Sequence, residues 1–339
     1  MASPEALYEK LKHIHVGNPL CEYTYERCIE LFPIIEEISI LKEEKNALIL
    51  AHTYVHPDIV FGVADHVGDS YGLAKAARQT QASIILFPAV RFMAETAKLL
   101  NPDKLVLDPN PNGGCSLADS IDPDTVWRLR RQYPQHTFVC YINTTAAVKA
   151  ACDVCVTSSN AHIILEKIPN DRIYFLPDRL LAENTKNRLL KRGITKEILS
   201  YPGSCYVHEE IQEEEIDLMR YRFPDVTVLA HPECPPEVVQ KADVVGSTTE
   251  MHRYVVAHQH QRSPFFLLTE CGVASRLQID APHAKLVGGC HLCKYMRSNS
   301  LQSILAALKQ PKESDIITIE PQIQERARRC IERMFDYAE

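Results

Sequence analysis

The strongest constraint on the fold is an internal repeat with a period of about 90 residues. Each copy opens with an apolar run that ends in a polar residue, at positions 47–52, 138–143 and 226–231. An aspartate and then a hydroxyl residue follow each run at matching spacings: Asp65 and Ser70, Asp153 and Ser158, Asp243 and Thr248. One match of this kind arises easily by chance, but the ordered series indicates three copies of one structural unit.

Each copy continues with a second apolar run and closes on a Gly-x-Cys sequence. The second runs lie at 83–87, 172–176 and 264–268. The closing sequences each follow a short apolar stretch, and they end at Cys115, Cys205 and Cys290. Short apolar runs that alternate with helical patterns predict βαβ units, whose parallel sheets are covered on both faces.

The repeat predicts the fold class α/β. We expect three similar three-layer α/β domains with small parallel sheets, in a pseudo-threefold arrangement around a central active site. Residues 1–35 are predicted to form N-terminal helices, and the three units to occupy 36–115, 116–205 and 206–293. The helices of residues 294–339 are expected to pack on the first unit.

Composition excludes several classes of protein. Of the 339 residues, 45% are hydrophobic and 24% are charged, which is ordinary for a globular chain and excludes a disordered one. The longest apolar runs are far shorter than the ~18 residues that span a bilayer, and residues 1–15 lack the apolar core of a secretory signal. The net charge is −7 and no basic run occurs, so we expect a cytoplasmic protein that binds neither membranes nor nucleic acid.

The polar residues that end the first apolar runs are the candidate binding residues. Ligands of open α/β sheets lie beyond the carboxyl ends of the strands, which is where His52, Asn143 and His231 occur. Tyr54 and Tyr141 lie close by and can donate phenol protons. The three repeated hydroxyl residues precede helical patterns, so they are expected to cap helices, to bind anions at the helix N-termini, or to do both.

Twelve cysteines are many for a chain that is expected to stay reduced, and a disulfide framework is not anticipated. One thiol from each unit can meet the other two on the pseudo-axis and hold an iron–sulfur cluster with one iron left open. Such an open position is what Lewis-acid catalysis requires. The third thiol is either Cys290 or Cys293, which lie three residues apart. The cysteines that align with Ala, Val or Ile, or lie in helical flanks, are predicted to be core residues: Cys21, Cys28, Cys140, Cys152, Cys155 and Cys330.

A series of ordered phrases between about residues 30 and 310 then matches one known family. The phrases are FMAETAK at 92–98, GCSLAD at 114–119, YINT at 141–144, TSSNA at 157–161, PGSC at 202–205 with VH at 207–208, HPECPPE at 231–237 and GST at 246–248. On these phrases the chain resembles the quinolinate synthases, iron–sulfur enzymes of de novo NAD biosynthesis. The resemblance implies condensation of iminoaspartate with dihydroxyacetone phosphate to quinolinate, with loss of phosphate and water. It also implies transient contact with an L-aspartate-oxidising enzyme that supplies iminoaspartate.

The resemblance further implies a [4Fe–4S] cluster bound by three cysteines, Cys115, Cys205 and Cys293. The family's third ligand usually precedes Pro-x-Met, whereas residues 293–296 are CKYM. The family's His-Asn-Tyr occurs here as His-Thr-Tyr at 52–54, so only the middle residue differs.

Roles for the polar residues follow from the same resemblance. Glu233 is expected to be the general base, with a pKa raised toward neutrality by burial or a neighbouring anion. Tyr54 is expected to donate or shuttle protons, and His52 and His231 complete the catalytic set. The residues implied to contact the substrates are His52, Ser70, Tyr141, Ile142, Asn143, Ser158, His231, Pro232, Glu233 and Thr248.

Two other classes of protein share part of this pattern. A radical enzyme of the diphthamide-synthesis type also places three cysteines from three similar domains on one cluster, and it cleaves S-adenosylmethionine. The His-Pro-Glu phrase and the small polar residues at the strand ends argue against that enzyme. A non-enzymatic iron–sulfur redox sensor should lack convergent acid–base residues, which this chain has in every unit.

Overall fold

The computed structural model describes residues 3–15 and 22–338. Helices α1 (Pro4–Leu11) and α2 (Tyr25–Glu44) precede the first sheet. Cys21 lies outside the described residues, so its predicted place in the core is not addressed by the structure.

The first unit alternates strands and helices from the first apolar run onward. Its elements are β1 (Ala47–His52), α3 (Pro57–Gly62), β2 (His66–Gly68), α4 (Ser70–Gln79), β3 (Ile84–Leu86), α5 (Arg91–Leu100) and β4 (Leu105–Leu107). A 3-10 turn at Ala118–Ser120 follows the first Gly-x-Cys sequence. The four strands are parallel and lie in the order β2-β1-β3-β4.

The second unit repeats this arrangement, and helix α6 precedes its first strand as α2 precedes β1. Its elements are α6 (Pro123–Gln132), β5 (Thr137–Tyr141), α7 (Ala146–Ala150), β6 (Val154–Val156), α8 (Ala161–Lys167), β7 (Arg172–Leu176), α9 (Arg179–Lys191) and β8 (Glu197–Ser200). Its strands are again parallel, in the order β6-β5-β7-β8. A short helix, α10 (Tyr206–Glu209), follows directly after Cys205.

The third unit has the same order of elements. They are α11 (Glu213–Arg222), β9 (Thr227–Ala230), α12 (Pro236–Lys241), β10 (Val244–Val245), α13 (Thr248–His258), β11 (Phe265–Leu268), α14 (Gly272–Asp280) and β12 (Leu286–Val287). The parallel sheet has the order β10-β9-β11-β12. The chain ends in α15 (Lys294–Arg297), α16 (Leu301–Lys309) and α17 (Pro321–Ala338).

Three sheets with identical strand order confirm the predicted fold class of three similar α/β units. The central strands of each sheet are buried on both faces, which explains their continuous apolar sequences. Among the described residues, no helix has the length and apolar character needed to cross a membrane.

The repeated aspartates do the same structural work in all three units. Asp65 accepts a hydrogen bond of 2.8 Å from the amide of Ile49 in β1, and it pairs with Lys42 of the preceding helix. The two other aspartates likewise accept from the central strand and pair with an arginine of the preceding helix: Asp153 with Phe138 and Arg130, and Asp243 with Val228 and Arg220. Each aspartate therefore connects the preceding helix to one backbone amide near the start of the central strand.

Removing this connection should destabilise the protein without touching the central pocket. We expect Asp153→Ala to lower the free energy of unfolding by about 1–3 kcal/mol, because the buried amide of Phe138 loses its acceptor. Urea unfolding followed by circular dichroism measures this change. The exposed Asp225, mutated to Ala, is the control and should change stability by less than about 0.5 kcal/mol. Equal stability of the two variants would contradict this role of the repeated aspartates.

Helix α2 corrects one predicted boundary. The division at residue 35 lies inside this continuous helix, which occupies the same place before β1 as α6 does before β5. The helix therefore belongs topologically to the first unit. The remaining boundaries stay predictions.

The C-terminal helices pack more widely than the sequence suggested. Helix α16 lies against α2. Helix α17 instead packs mainly against α7 and β6 of the second unit, and also against α5 of the first. Cys330 of α17 therefore contacts the second unit, where its Sγ lies 3.5 Å from Sγ of Cys140. Both side chains are buried, in agreement with the predicted core role.

Candidate active site

One central pocket collects the polar residues that follow the first strand of each sheet. His52 ends β1, Asn143 follows β5 and His231 follows β9, and all three line this pocket. Every predicted site residue lines it except Ile142 and Pro232. The three sheets thus direct equivalent strand ends into a shared space, as ligand sites of parallel sheets require.

Ile142 and Pro232 lie next to pocket residues in the sequence but do not line the pocket themselves. The carbonyl of Ile142 accepts a 2.7 Å hydrogen bond from Nζ of the buried Lys149. The carbonyl of Pro232 accepts a 2.9 Å hydrogen bond from Asn184 of α9. The structure therefore gives both residues a structural role, and direct contact of either with a substrate stays a prediction.

The two strand-end histidines are held in the same tautomer. Nδ1 of His52 accepts a hydrogen bond from the amide of Tyr54 at 3.2 Å, and Nδ1 of His231 accepts from the amide of Glu233 at 3.4 Å. Since Nδ1 is an acceptor in both rings, Nε2 carries the proton and can donate to a ligand. Burial lowers the pKa of His52 to about 4 and that of His231 to about 3, so both imidazoles are neutral at physiological pH.

The repeated hydroxyl residues do not cap their helices, which corrects one of the two expectations for them. Asp69 caps α4 through the amide of Gly72, and Ser247 caps α13 through the amide of Glu250. Ser70 and Thr248 are therefore the first residues inside their helices. Asn160 occupies the cap position before α8, and Ser158, whose hydroxyl interacts with the phenol of Tyr141, lines the pocket.

Two buried polar atoms in the pocket wall lack partners. Within the described part of the chain, neither Oδ1 of Asn143 nor Oγ1 of Thr248 has a hydrogen-bond partner. A buried polar group without a partner destabilises the folded state by about 1–3 kcal/mol. A polar ligand that bonds to these atoms removes this penalty, which marks the pocket as a binding site.

A continuous hydrogen-bonded chain crosses the site. The phenol of Tyr54 contacts Oγ1 of Thr269 at 2.9 Å, and Nε2 of His208 contacts the same oxygen at 3.0 Å. Nδ1 of His208 lies 3.1 Å from Oε2 of Glu233, whose Oε1 accepts a hydrogen bond from the phenol of Tyr141. These five side chains can pass a proton between the walls of the pocket.

The pKa of Glu233 is shifted in the opposite direction to the prediction. Burial alone would raise its pKa, but the contacts with His208 and His231 and the hydrogen bonds from His208 and Tyr141 lower it to about 2. The electrostatic attraction of His208 is the largest of these lowering contributions, so His208 is the main reason that the carboxylate stays ionised. The expected shift of this pKa toward neutrality is therefore wrong.

Three cysteine thiols line the same pocket. Burial raises the pKa of Cys115 to about 12, that of Cys293 to about 11 and that of Cys205 well above its usual value. The charge of Cys293 would also raise the pKa of Cys115, and the charges of Cys115 and Cys293 that of Cys205, so the three sulfurs share one electrostatic neighbourhood. A cation that binds all three can displace their protons and relieve this repulsion.

The backbone around each thiol is arranged alike. Amides of the following turn act against burial and lower the thiol pKa through hydrogen bonds: Leu117 and Ala118 for Cys115, His208 for Cys205, and Tyr295 and Met296 for Cys293. Cys205 and Cys293 occupy the N-cap positions of α10 and α15. Hydrogen bonds to sulfur from such turns are typical of iron–sulfur ligands, so the donor set suits a cluster on three thiols.

The sulfur of Cys290 is bonded to another cysteine outside the pocket. It forms a disulfide with Cys271, which corrects the expectation that the cysteines stay unpaired. The reason lies in the extension of β11, because Glu270 pairs with His291 and the amide of Cys271 donates to the carbonyl of His291 at 2.9 Å. This pairing sets the two cysteine backbones side by side and leaves Cys293 at the pocket.

A second grouping of metal-binding atoms overlaps the thiol set. The ligand atoms of Cys205, His208 and Glu233 lie within 4.8 Å of one another. His208 and Glu233, however, already use their polar atoms in the hydrogen-bonded chain with Thr269 and Tyr141. The thiols of Cys115 and Cys205 interact with backbone amides, and that of Cys293 interacts with backbone amides and the phenol of Tyr206. Soft thiolates favour iron–sulfur clusters.

Sequence reasoning missed two residues that come after the third strand, in chain order, of the second and third sheets. Thr269 follows β11, and Asp178 lies two residues after β7. Asp178 is fully buried, and burial together with the charge of Glu233 raises its pKa well above the usual value. The second apolar runs carried this signal, because parallel strands of one sheet all end at the same edge. His208 was visible as part of a phrase but received no role.

Comparisons with known proteins agree with this geometry. The chain matches the family described as Quinolinate synthetase A protein over residues 36–336. The chain belongs to the quinolinate synthase family. It is 44% identical over 327 residues to quinolinate synthase 2 of Mesorhizobium japonicum, which covers 94% of this chain and 98% of that protein.

Two further quinolinate synthases are similar over nearly the whole chain. The protein of Xylella fastidiosa is 41% identical over 335 residues, covering 96% of both chains. That of Caulobacter vibrioides is 41% identical over 339 residues, covering 99% of this chain and 88% of its own length. The family resemblance inferred from short phrases is thereby confirmed across both ends of the sequence.

Proposed function

We propose that this protein is a quinolinate synthase of NAD biosynthesis, which condenses iminoaspartate with dihydroxyacetone phosphate to quinolinate with loss of phosphate and water. Family membership supports the activity as a whole. The observation that carries it is the single pocket in which three thiols, two neutral histidines and a buried carboxylate converge. Both substrates carry anionic groups, and the pocket offers several donors to them.

We assign the [4Fe–4S] cluster to Cys115, Cys205 and Cys293. Their turns supply amides to sulfur, and Cys290 is held by Cys271. When bound, a cluster with one open iron acts as a Lewis acid that polarises an oxygen and assists its loss as water.

The polar side chains then bind and orient the substrates. His52 and His231 donate from Nε2, and the hydroxyls of Ser70, Ser158 and Thr248 donate to carboxylate or phosphate oxygens. Asn143 uses its unpaired oxygen to accept from a substrate donor. These groups come from all three units, so the pocket is complete only when the units are assembled.

Proton transfer is the task of the hydrogen-bonded chain. Tyr141 and Tyr54 stay protonated because burial raises the pKa of each phenol well above its usual value. The ionised Glu233 accepts a proton from a substrate carbon, and His208 and Thr269 connect it to Tyr54. Removal of several protons from carbon, which an aromatic product requires, is thereby shared between positioned groups.

An anaerobic assay tests this proposal. The protein, reconstituted with iron and sulfide, is mixed with dihydroxyacetone phosphate and freshly generated iminoaspartate, and quinolinate is quantified by chromatography. We expect quinolinate only when both substrates and the reconstituted protein are present. Cleavage of S-adenosylmethionine without quinolinate would instead favour the radical enzyme. An intact cluster without either product would favour the redox sensor.

The supply of iminoaspartate by an L-aspartate-oxidising enzyme stays a prediction. Iminoaspartate hydrolyses readily in water, so transient contact with the supplying enzyme would shorten its exposure. The pocket itself requires only small molecules as substrates, and a cytoplasmic location also remains an expectation from composition.

A further inference from the structure

A second cleft adjoins the central pocket. It lies between helices α8 and α9 of the second unit and α12 of the third, and the two cavities share Ser158. Pro232 lines the cleft, whereas its neighbours His231 and Glu233 line the pocket. The turn at 231–233 therefore lies between the cleft and the pocket. We call this second cavity the anion cleft, for the reasons that follow.

One face of α9 forms a wall of the anion cleft. Asn184 on this face donates to the carbonyls of Pro232 and Cys234 at 2.9 and 2.7 Å, which anchors the turn beside the pocket. Arg188 and Lys191 line the cleft four and seven residues later. Residues at these spacings share one face of a helix. The face that holds the turn therefore continues outward as two cationic side chains.

The anion cleft is positive in a chain whose net charge is −7. Its positive groups are Arg188 and Lys191, and burial lowers the pKa of the lining His162 to about 4, so that imidazole is neutral. Of the residues that the structure describes, no Asp or Glu lines the cleft. Among the described residues, neither Arg188 nor Lys191 has a carboxylate within salt-bridge distance. Glu250 acts on Arg188 electrostatically, and its carboxylate accepts a hydrogen bond from the amide of Ser247 at 2.7 Å. The cationic groups are thus available to a small anion.

We propose that the anion cleft is the route by which anionic substrates reach the central pocket, with Arg188 and Lys191 capturing their phosphate or carboxylate groups before transfer to Ser158. The proposal rests on the proposed function, in which both substrates are small anions. Arg and Lys suit this task because their charges attract such groups from solution and raise association rates. Ser158 can receive the anion because it borders both cavities.

A matched pair of charge reversals tests the route. Arg188→Glu reverses a charge inside the anion cleft, whereas Lys186→Glu reverses a charge of the same helix outside it. We expect Arg188→Glu to lower kcat/KM about tenfold with kcat changed less than twofold, since capture precedes chemistry. Lys186→Glu should stay within twofold of the unchanged protein in both constants. Salt should reduce kcat/KM of the unchanged protein more steeply than that of Arg188→Glu.

The substrates are varied one at a time to identify the captured group. A rise in KM for dihydroxyacetone phosphate alone assigns the cleft to the phosphate, and a rise for both substrates assigns it to anions generally. Equal kcat/KM for the two variants, or a loss confined to kcat, would overturn the proposal. If Arg188→Glu unfolds, as judged by its melting temperature, Arg188→Gln replaces it and should lower kcat/KM about threefold.

A binding measurement keeps this inference separate from the proposed function. Inorganic phosphate is titrated into the iron-loaded protein and followed by phosphorus NMR. Weaker binding to Arg188→Glu than to Lys186→Glu supports the anion cleft even if no quinolinate forms. Equal binding to the two variants refutes the cleft even if quinolinate forms normally.

Discussion

Replacing Cys115 or Cys205 by serine, or Cys293 by alanine, should abolish both iron binding and quinolinate formation. The unchanged protein, reconstituted without oxygen, should contain about four irons per chain. Each substitution removes one of three thiolates, and the described residues that line the pocket include no other thiol. Iron and sulfide analysis, together with visible absorbance, measures the loss.

Two sets of control variants sharpen this experiment. Cys152→Ser and Cys155→Ser alter two thiols of the second unit that do not line the pocket, and they should keep both cluster and activity. Cys290→Ala breaks the disulfide with Cys271 but leaves the pocket thiols in place, so it should keep the iron. Loss of iron in Cys290→Ala and its retention in Cys293→Ala would return the third ligand to the Gly-x-Cys register.

The repeat made the fold accessible from the sequence alone. Its spacing predicted three equivalent units, and the three sheets have the same strand order. Asp65 and its two counterparts were visible as a repeated residue because each keeps the same partners, a strand amide and a cation on the preceding helix. A contact that recurs in every unit leaves a periodic trace, which a single sequence can reveal.

Contacts that break the repeat left no such trace. The extension of β11 brings Cys271 to Cys290, and nothing in their spacing of 19 residues indicated it. Helix α17 crosses to the second unit, where Cys330 meets Cys140. Helix capping by Asp69 instead of Ser70 was hidden because the two candidates are adjacent and both residue types cap well.

In the candidate site, too, features repeated in every unit were predictable, whereas contacts that occur only once were not. Strand ends and hydroxyls were predicted from equivalence between units, and the pocket brings them together. The ionisation of Glu233 depends instead on His208 and Tyr141, which lie 25 and 92 residues away in the sequence. A pKa set by such distant partners cannot be inferred from local pattern, which explains why the expected direction was wrong.

Glu233→Gln should keep the fold and the cluster but lower kcat by roughly 10²–10⁴, the usual contribution of a general base. Glutamine preserves an oxygen that accepts from the phenol of Tyr141, so the variant removes charge and basicity with little change of shape. Substrate binding by Ser70, Ser158 and Thr248 is untouched. An intermediate should therefore accumulate on the protein and be detectable by rapid quenching and mass spectrometry.

Glu237→Gln is the matched control, because this exposed carboxylate lies four residues along the same segment, in the first turn of α12. It should leave kcat within twofold of the unchanged protein. The low pKa of Glu233 makes the carboxylate a weak base, so we expect the substrates to strengthen it when they bind. Substrate anions in the pocket raise the pKa of a neighbouring carboxylate and make it a better proton acceptor. Near-normal turnover of Glu233→Gln with full iron content would show that Glu233 only orients His208 and Tyr141, and that another group removes the protons.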